Sequence, residues 1–298
     1  MDVIKQIKPD PSAPFMGPPM MDVSGIKRKF LDVPYGTQSA NQKLDIYLPD
    51  EGEGPFPTIV YAHGGAFIGG NKRDMQLVYV IDGIRRGYAV VSVEYRMVPE
   101  AKFPDIMFDF KAALRFLRAN AAKYFLDGDR FFSGGDSAGA YLAVFSAATQ
   151  DNPAFEGAHL GYSKYSSSVK AVIGLFGCYD LHMCAKFSEA HPMASTGKPV
   201  RFIDRLMGAE TLNNPELLYF TNPSNFMTPA FPPALIQAGD ADQVVPYENS
   251  IYLAEKINSV CGAGRATLEL FPGCLHGDPK FETPENIDRI FRFLEENK

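Results

Sequence analysis

The chain has no run approaching the ~18–20 apolar residues of a membrane-spanning helix. Its opening stretch, MDVIKQIKPDPSAPF, lacks the apolar h-region of a secretory signal. It has no long block of like charge, and a net charge of −6 offers no basic surface for nucleic acid or an anionic membrane. Cysteine is scarce. Cys178, Cys184, Cys261 and Cys274 form neither a CxxC pair nor a dense framework, which points to free thiols rather than disulfides or a zinc site. Cys274, two residues before His276, is expected to be a buried, inert thiol. No internal repeat is visible. The expectation is a cytoplasmic chain without metal or nucleic-acid partner, although a trimmed secreted form would look the same; the oligomeric state stays open.

What is present is a globular composition, 46% hydrophobic and 21% charged over 298 residues, long enough for a large core. Residues 1–22, rich in Pro and Met, suit an irregular arm. IKRKFLDV and KLDIYL alternate as edge-type antiparallel strands should. TIVYA (58–62), YAVVSVEY (88–95), VKAVIGLF (169–176) and PALIQA (233–238) are short apolar runs, the pattern of strands buried on both faces. Helical patterns fall between them, from Met75 to Ile84 and from Pro104 to Leu117, where Ile106, Phe110, Ala113 and Leu117 share a face. A last helix starts at Thr283 as N-cap with Pro284 at its first position. Strands alternating with helices imply a mainly parallel sheet covered on both faces, in a single domain over 1–298. Residues 178–228 break the rhythm and are, with the arm 1–22, the candidates for a cap.

FFSGGDSAGAYLAVF (131–145) places glycines around one serine where a strand gives way to a helix. A sharp turn there exposes a side chain at the C-terminal end of the sheet, where open α/β sheets carry their chemistry. Such a turn leaves no room for side chains two residues either side, and Gly135 and Gly139 stand in those places. This is the pattern of a nucleophile elbow presenting Ser137. A serine hydroxyl needs a base, and a histidine base needs an orienting carboxylate. In the order Ser, acid, His, His276 follows the strand-like ATLELF (266–271), whereas His159, His182 and His191 fall in irregular regions. The acid is expected in GDADQVVP after PALIQA. Asp242 is favoured, with Asp240 capping the turn through its side chain.

Acyl transfer builds negative charge on a carbonyl oxygen, which fixed backbone N–H groups stabilise. HGGAF (63–67) follows the first buried strand, and its small residues let bare backbone approach a substrate. The expected donors are Gly65, Ala66 and Ala138, with Gly64 giving the turn freedom and His63 bracing it. Phe67 is expected to line an acyl pocket.

HGGAF, EYRMVPEAKFP (94–104), GDSAG (135–139), Gly239–Asp242 and the late His276 together resemble the hormone-sensitive-lipase-like esterases of the α/β-hydrolase fold. QKLDIYLPDEGEGPFPTIVYAHGGAF is also similar to the feruloyl/acetyl-xylan-esterase-like branch. The resemblance runs from about residue 40 to the end. It implies an α/β-hydrolase fold with a helical cap and a cofactor-free serine carboxylesterase, with Ser137 as nucleophile, His276 as base and Asp242 as acid. Two segments depart from the pattern. Ala66 replaces the third glycine of the commoner HGGG, and YRMVPE stands for YRLAPE, with Arg96 free to pair with Glu100 or Asp109. The expected substrate is a small ester with a short acyl group; its alcohol stays open, a sugar being one class the resemblance offers though no residue of the chain shows it. Amide cleavage resembling that of aryl-formamidases and a catalytically silent receptor are the alternatives; the latter typically lacks the histidine that is present here.

Overall fold

The structure, a computed structural model, describes residues 5–6, 19–150, 152–192, 199 and 201–298. Most of the arm expected over 1–22, Met16 included, lies outside the described residues. An eight-stranded sheet organises the chain: β1 (Lys29–Pro34), β2 (Lys43–Tyr47), β3 (Phe56–Ala62), β4 (Ala89–Val93), β5 (Leu126–Asp136), β6 (Val172–Leu175), β7 (Ala234–Gly239) and β8 (Ala266–Phe271). The spatial order is β8-β7-β6-β5-β3-β4-β2-β1. The six strands from β8 to β4 run parallel; β2 and β1 join antiparallel at one edge.

Burial follows from this order. β3, β4, β6 and β7 are buried along their whole length, as strands covered on both faces must be. Because side chains alternate across a strand, Val60 and Ala62 of β3 enter one apolar cluster while Ile59 and Tyr61 enter the other. The first cluster packs against α1 (Asp105–Ala119), α2 (Ala138–Ala148) and α6 (Glu248–Cys261). The second packs against α7 (Pro284–Glu296) through Ile287, Ile290, Phe291 and Leu294. Thr283 caps α7 as expected, its side chain accepting from the Asn286 N–H. Buried Asn286 in turn exchanges hydrogen bonds with Gln237 of β7 at 2.7 and 2.9 Å, so the helix is fixed to the sheet by matched amides.

One predicted helix differs. From Met75 to Arg86 the chain forms two short 3₁₀ segments, Met75–Tyr79 and Ile81–Arg86, instead of one α-helix. Gly83 lies flat against Val90 and Phe291, where an added Cβ would come within 3.1–3.2 Å of both. This close seating on the sheet is a tertiary constraint that periodicity does not encode.

The insertion between β6 and β7 holds α3 (Leu181–Ala190), α4 (Phe202–Met207) and α5 (Pro215–Tyr219). It covers α2, every residue of which is buried. The Tyr141 hydroxyl donates to the Thr221 carbonyl at 2.7 Å, and Phe145 packs edge-on to Phe226. A helix apolar on all sides requires such a second cover. Among the described residues no helix is long and apolar enough to cross a membrane, and the four cysteines are free thiols, with Cys274 buried.

Candidate active site

β5 ends at Asp136 and α2 begins at Ala138, leaving Ser137 alone between strand and helix. Its φ of 50° and ψ of −118° place a non-glycine residue in a sparsely populated region. Such a conformation costs about 1–3 kcal/mol and persists only where its surroundings enforce it. The enforcement is visible: a Cβ on Gly135 would run into the backbone of Gly139, and one on Gly139 into the carbonyls of Ala62 and His63. Gly134 differs, since its Cβ would meet only ordinary contacts, the nearest at 3.4 Å.

Two loops at the same sheet end bring the other side chains. His276 Nε2 lies 3.0 Å from Ser137 Oγ, and its Nδ1 lies 2.7 Å from Asp242 Oδ2. The second contact sets the tautomer. Nδ1–H donates to the carboxylate and Nε2 accepts from the serine hydroxyl. Asp242 is itself aimed, because Oδ1 accepts the N–H groups of Val244 and Val245 at 2.7 and 2.9 Å. Asp240 stays apart from the histidine. Its carboxylate accepts the Gly273 N–H at 2.6 Å, tying the acid loop to the loop that carries His276. The imidazole rests edge-on against Phe176, with ring centroids 4.9 Å apart. The other histidines after Ser137 lie elsewhere: His159 against Phe108, His191 stacked on Phe187, and His182 on α3.

HGGAF forms a tight turn after β3. Gly65 has a φ of 118°, where a Cβ would collide with the Gly69 carbonyl, and its own carbonyl accepts Ile68 and Gly69 N–H groups at 3.0 Å. Ala66 and Phe67 follow with φ of 54° and 62°. Among the described residues the Gly65 and Ala66 N–H groups donate to no other group of the protein. Ala138 is the first residue of its helix, where an N–H has no partner within the helix.

The loop is braced from below. His63 Nδ1 contacts the Gly64 carbonyl at 2.7 Å, its carbonyl accepts the Tyr95 hydroxyl at 2.8 Å, and its ring stacks on that of Tyr95. Burial pulls the His63 pKa down, but the Glu94 carboxylate 3.4 Å from Nε2 overrides it and holds the imidazole above its ordinary value. Arg96 grips Asp109, with Nε and Nη2 2.8 and 2.7 Å from its two oxygens; Glu100 instead accepts from Asn41.

Phe67 corrects an expectation. Instead of lining an acyl pocket it is fully buried, edge-on to Tyr141. With its carbonyl held by the Val98 N–H at 2.8 Å, the side chain packs in the core beneath the loop. Sequence reasoning also missed Asp136, Gln76 and Tyr61, which meet around Gly64. The available signal was a carboxylate at the second position of GDSAG, inside an otherwise apolar junction. A cavity of about 1000 Å³ holds none of these residues; Met21, Ile26, Met75, Ile81 and Ile287 line it on the α7 side of the sheet.

Esterase LipC of Mycobacterium tuberculosis is 30% identical over 247 residues, 82% of this chain and 58% of LipC. The chain thus spans little more than half the length of the curated relatives it matches. A truncated form of a carbohydrate esterase from gut microbiota superposes with a TM-score of 0.78 at 27% identity, over 91% of this chain and 96% of that one. A bifunctional GH43-CE protein of Bacteroides eggerthii gives a TM-score of 0.78 at 30% identity, over 90% of this chain and 35% of that one. The family model described as BD-FAE matches residues 44–257, a span that contains Ser137 and Asp242 and stops short of His276. From the second strand of the sheet to its sixth helix, then, this chain belongs to the BD-FAE family, within the α/β-hydrolase fold.

Proposed function

We propose that this chain is a carboxylic ester hydrolase working by two-step acyl transfer, with Ser137 as nucleophile, His276 as base and Asp242 as its orienting acid. The observation that carries the reading is the relay Asp242–His276–Ser137, 2.7 and 3.0 Å between successive atoms, ending on a serine at a strained strand–helix turn. Ser137 Oγ attacks the ester carbonyl carbon as its proton passes to His276 Nε2. The carbonyl oxygen becomes an oxyanion facing the N–H groups of Gly65, Ala66 and Ala138. Collapse breaks the bond to the alcohol, which leaves with the proton from Nε2. Water then loses a proton to the same nitrogen and attacks the acyl carbon; collapse breaks the bond to Ser137 Oγ, which takes the proton back from Nε2 as the acid is released. The imidazolium formed twice in this cycle is stabilised by Asp242.

The favoured substrates are short-acyl esters, with acetyl or feruloyl esters of sugars as the class to test. The names borne by LipC and by the gut carbohydrate esterase support ester cleavage, and the second supports a carbohydrate alcohol. The insertion over α2 is the proposed cap.

The test combines a fluorophosphonate probe with a p-nitrophenyl ester chain-length series and acetylated xylo-oligosaccharides. Labelling should map to Ser137, and Ser137→Ala should lower kcat by about 10⁴–10⁶. Acetate esters should outrun long-chain ones. Faster turnover of N-formylkynurenine than of any ester, or no labelling, would overturn the reading.

A further inference from the structure

The N–H of Gly64 faces two acceptors. It donates to Gln76 Oε1 at 2.6 Å and to Asp136 Oδ1 at 3.1 Å. The same Asp136 oxygen accepts the Tyr61 hydroxyl at 2.9 Å from the neighbouring strand. Gln76 is fixed by its own backbone, whose N–H donates to Asp74 Oδ1 at 3.0 Å. Nothing larger than glycine fits between them, since a Cβ at position 64 would sit 2.5 Å from Asp136 Oδ2.

Asp136 is the residue immediately before Ser137, and Gly64 the residue immediately before Gly65. One side chain therefore spans the gap between the nucleophile's turn and the loop that carries the facing amides. We propose that Asp136 and Gln76 are positioning residues that share the Gly64 N–H and so hold the Gly65 and Ala66 amides in register with Ser137. This rests on the reading of Ser137 as nucleophile.

The arrangement has a physical logic. Between the packed side chains of His63 and Phe67 the loop runs through Gly64, Gly65 and Ala66, which have little side chain to pack, so packing alone holds that middle stretch weakly. A hydrogen bond from its first glycine supplies the missing anchor. Two acceptors for one donor mean that losing either, and above all the shorter contact to Gln76, loosens the amide without freeing it, whereas losing both frees it. Burial, reinforced by the nearby Asp74 charge, pushes the Asp136 carboxyl up to about 7. The neutral acid and an asparagine are near-isosteres, and both keep Oδ1 as an acceptor. Asn should therefore replace Asp136 in this task, and Ala should not.

The experiment compares Gln76→Ala, Asp136→Asn, Asp136→Ala, and the double variants Gln76→Ala/Asp136→Asn and Gln76→Ala/Asp136→Ala on p-nitrophenyl acetate. Each single change should lower kcat by less than about tenfold. The double variant with Ala should lose about 10²–10³ in kcat at a KM within about twofold, the scale of losing an oxyanion donor. The double variant with Asn should stay within about tenfold of Gln76→Ala. Hydrogen exchange should quicken in peptides spanning 62–70 of the double variant with Ala, while peptides from α7 keep their protection. Losses that merely multiply, equal loss with Asn and Ala, or unchanged exchange at 62–70 would overturn the proposal. If the double variant with Ala does not fold, Gln76→Ala decides alone: it should show a lowered kcat, unchanged KM and faster exchange at 62–70, and wild-type values there overturn the clamp. Absence of ester turnover by the wild-type chain would instead overturn the functional reading.

Discussion

The carbonyl oxygen of Ala62 occupies the space that a β-carbon on Gly139 would need. The end of the third strand and the first turn of the helix after Ser137 are thus in direct backbone contact. This contact, with the matching one between Gly135 and Gly139, forces the turn that exposes Ser137. Gly139→Ala and Gly135→Ala should each destabilise the fold by about 3 kcal/mol or more, above the usual range for overpacking because backbone rather than side chain must yield. The helix-propensity gain of Ala over Gly, about 1 kcal/mol, is too small to compensate at Gly139. Gly134→Ala, whose Cβ meets nothing nearer than 3.4 Å, should stay within about 1 kcal/mol. Urea unfolding of the three variants checks the ranking.

Asp242 and Asp240 lie two residues apart and do different work. Asp242 reaches His276 at 2.7 Å, whereas Asp240 reaches only the Gly273 N–H. Asp242→Asn should lower kcat by about 10²–10⁴, because an amide stabilises neither the tautomer nor the imidazolium. Asp240→Asn retains an acceptor for Gly273 and should cost less than about tenfold. Steady-state kinetics on a p-nitrophenyl ester separates the two.

Asp136 carries a pH signature. Its folded pKa of about 7, raised by burial, stands above the ordinary carboxylate value near 3.9. Between those values the folded chain binds more protons at this site than the unfolded chain. Stability from this group therefore falls as pH rises from about 4 to 7 and levels off beyond. Asp136→Asn removes the titration, so its melting temperature relative to wild type should climb between pH 5 and pH 8. The integrated effect is at most a few kcal/mol. A difference in Tm independent of pH would contradict the assignment.

Arg96 holds a carboxylate with no exposure. Asp109 is fully buried and accepts two guanidinium bonds, the Arg96 N–H and the Gln42 amide. Removing the cation leaves a buried charge uncompensated, a change worth about 3–5 kcal/mol. Arg96→Ala should lower Tm by several degrees, and Arg96→Lys should recover only part of it, because an ammonium cannot form the two-pronged contact. Since the Val98 N–H supports the Phe67 carbonyl two residues further on, kcat should fall as well.

The pattern of short apolar runs between helical periodicities carried the parallel sheet and the covering of both its faces. Those features are local consequences of burial, and alternation and length encode them directly. Ser137, Asp242 and His276 were legible for the same kind of reason: glycine two residues either side of a serine, and an acidic loop and a histidine loop each directly after a strand, have few other uses. What the chain could not announce were contacts made by backbone atoms and by residues with ordinary local roles. Phe67 follows a glycine-rich loop and looks like a pocket wall, yet it turns inward once Val98 holds its carbonyl. Met75 to Ile84 has helical spacing, yet the chain there forms two 3₁₀ segments, with Gly83 seated closely against Val90 and Phe291. Asp136 and Gln76, sixty residues apart, share one amide only because the end of β5 and the first 3₁₀ segment are brought to the same loop. Periodicity and turn chemistry act over a few residues and can be read in one dimension. Which buried acceptor meets which loop N–H depends on strand order and crossover, and that was decided in three dimensions.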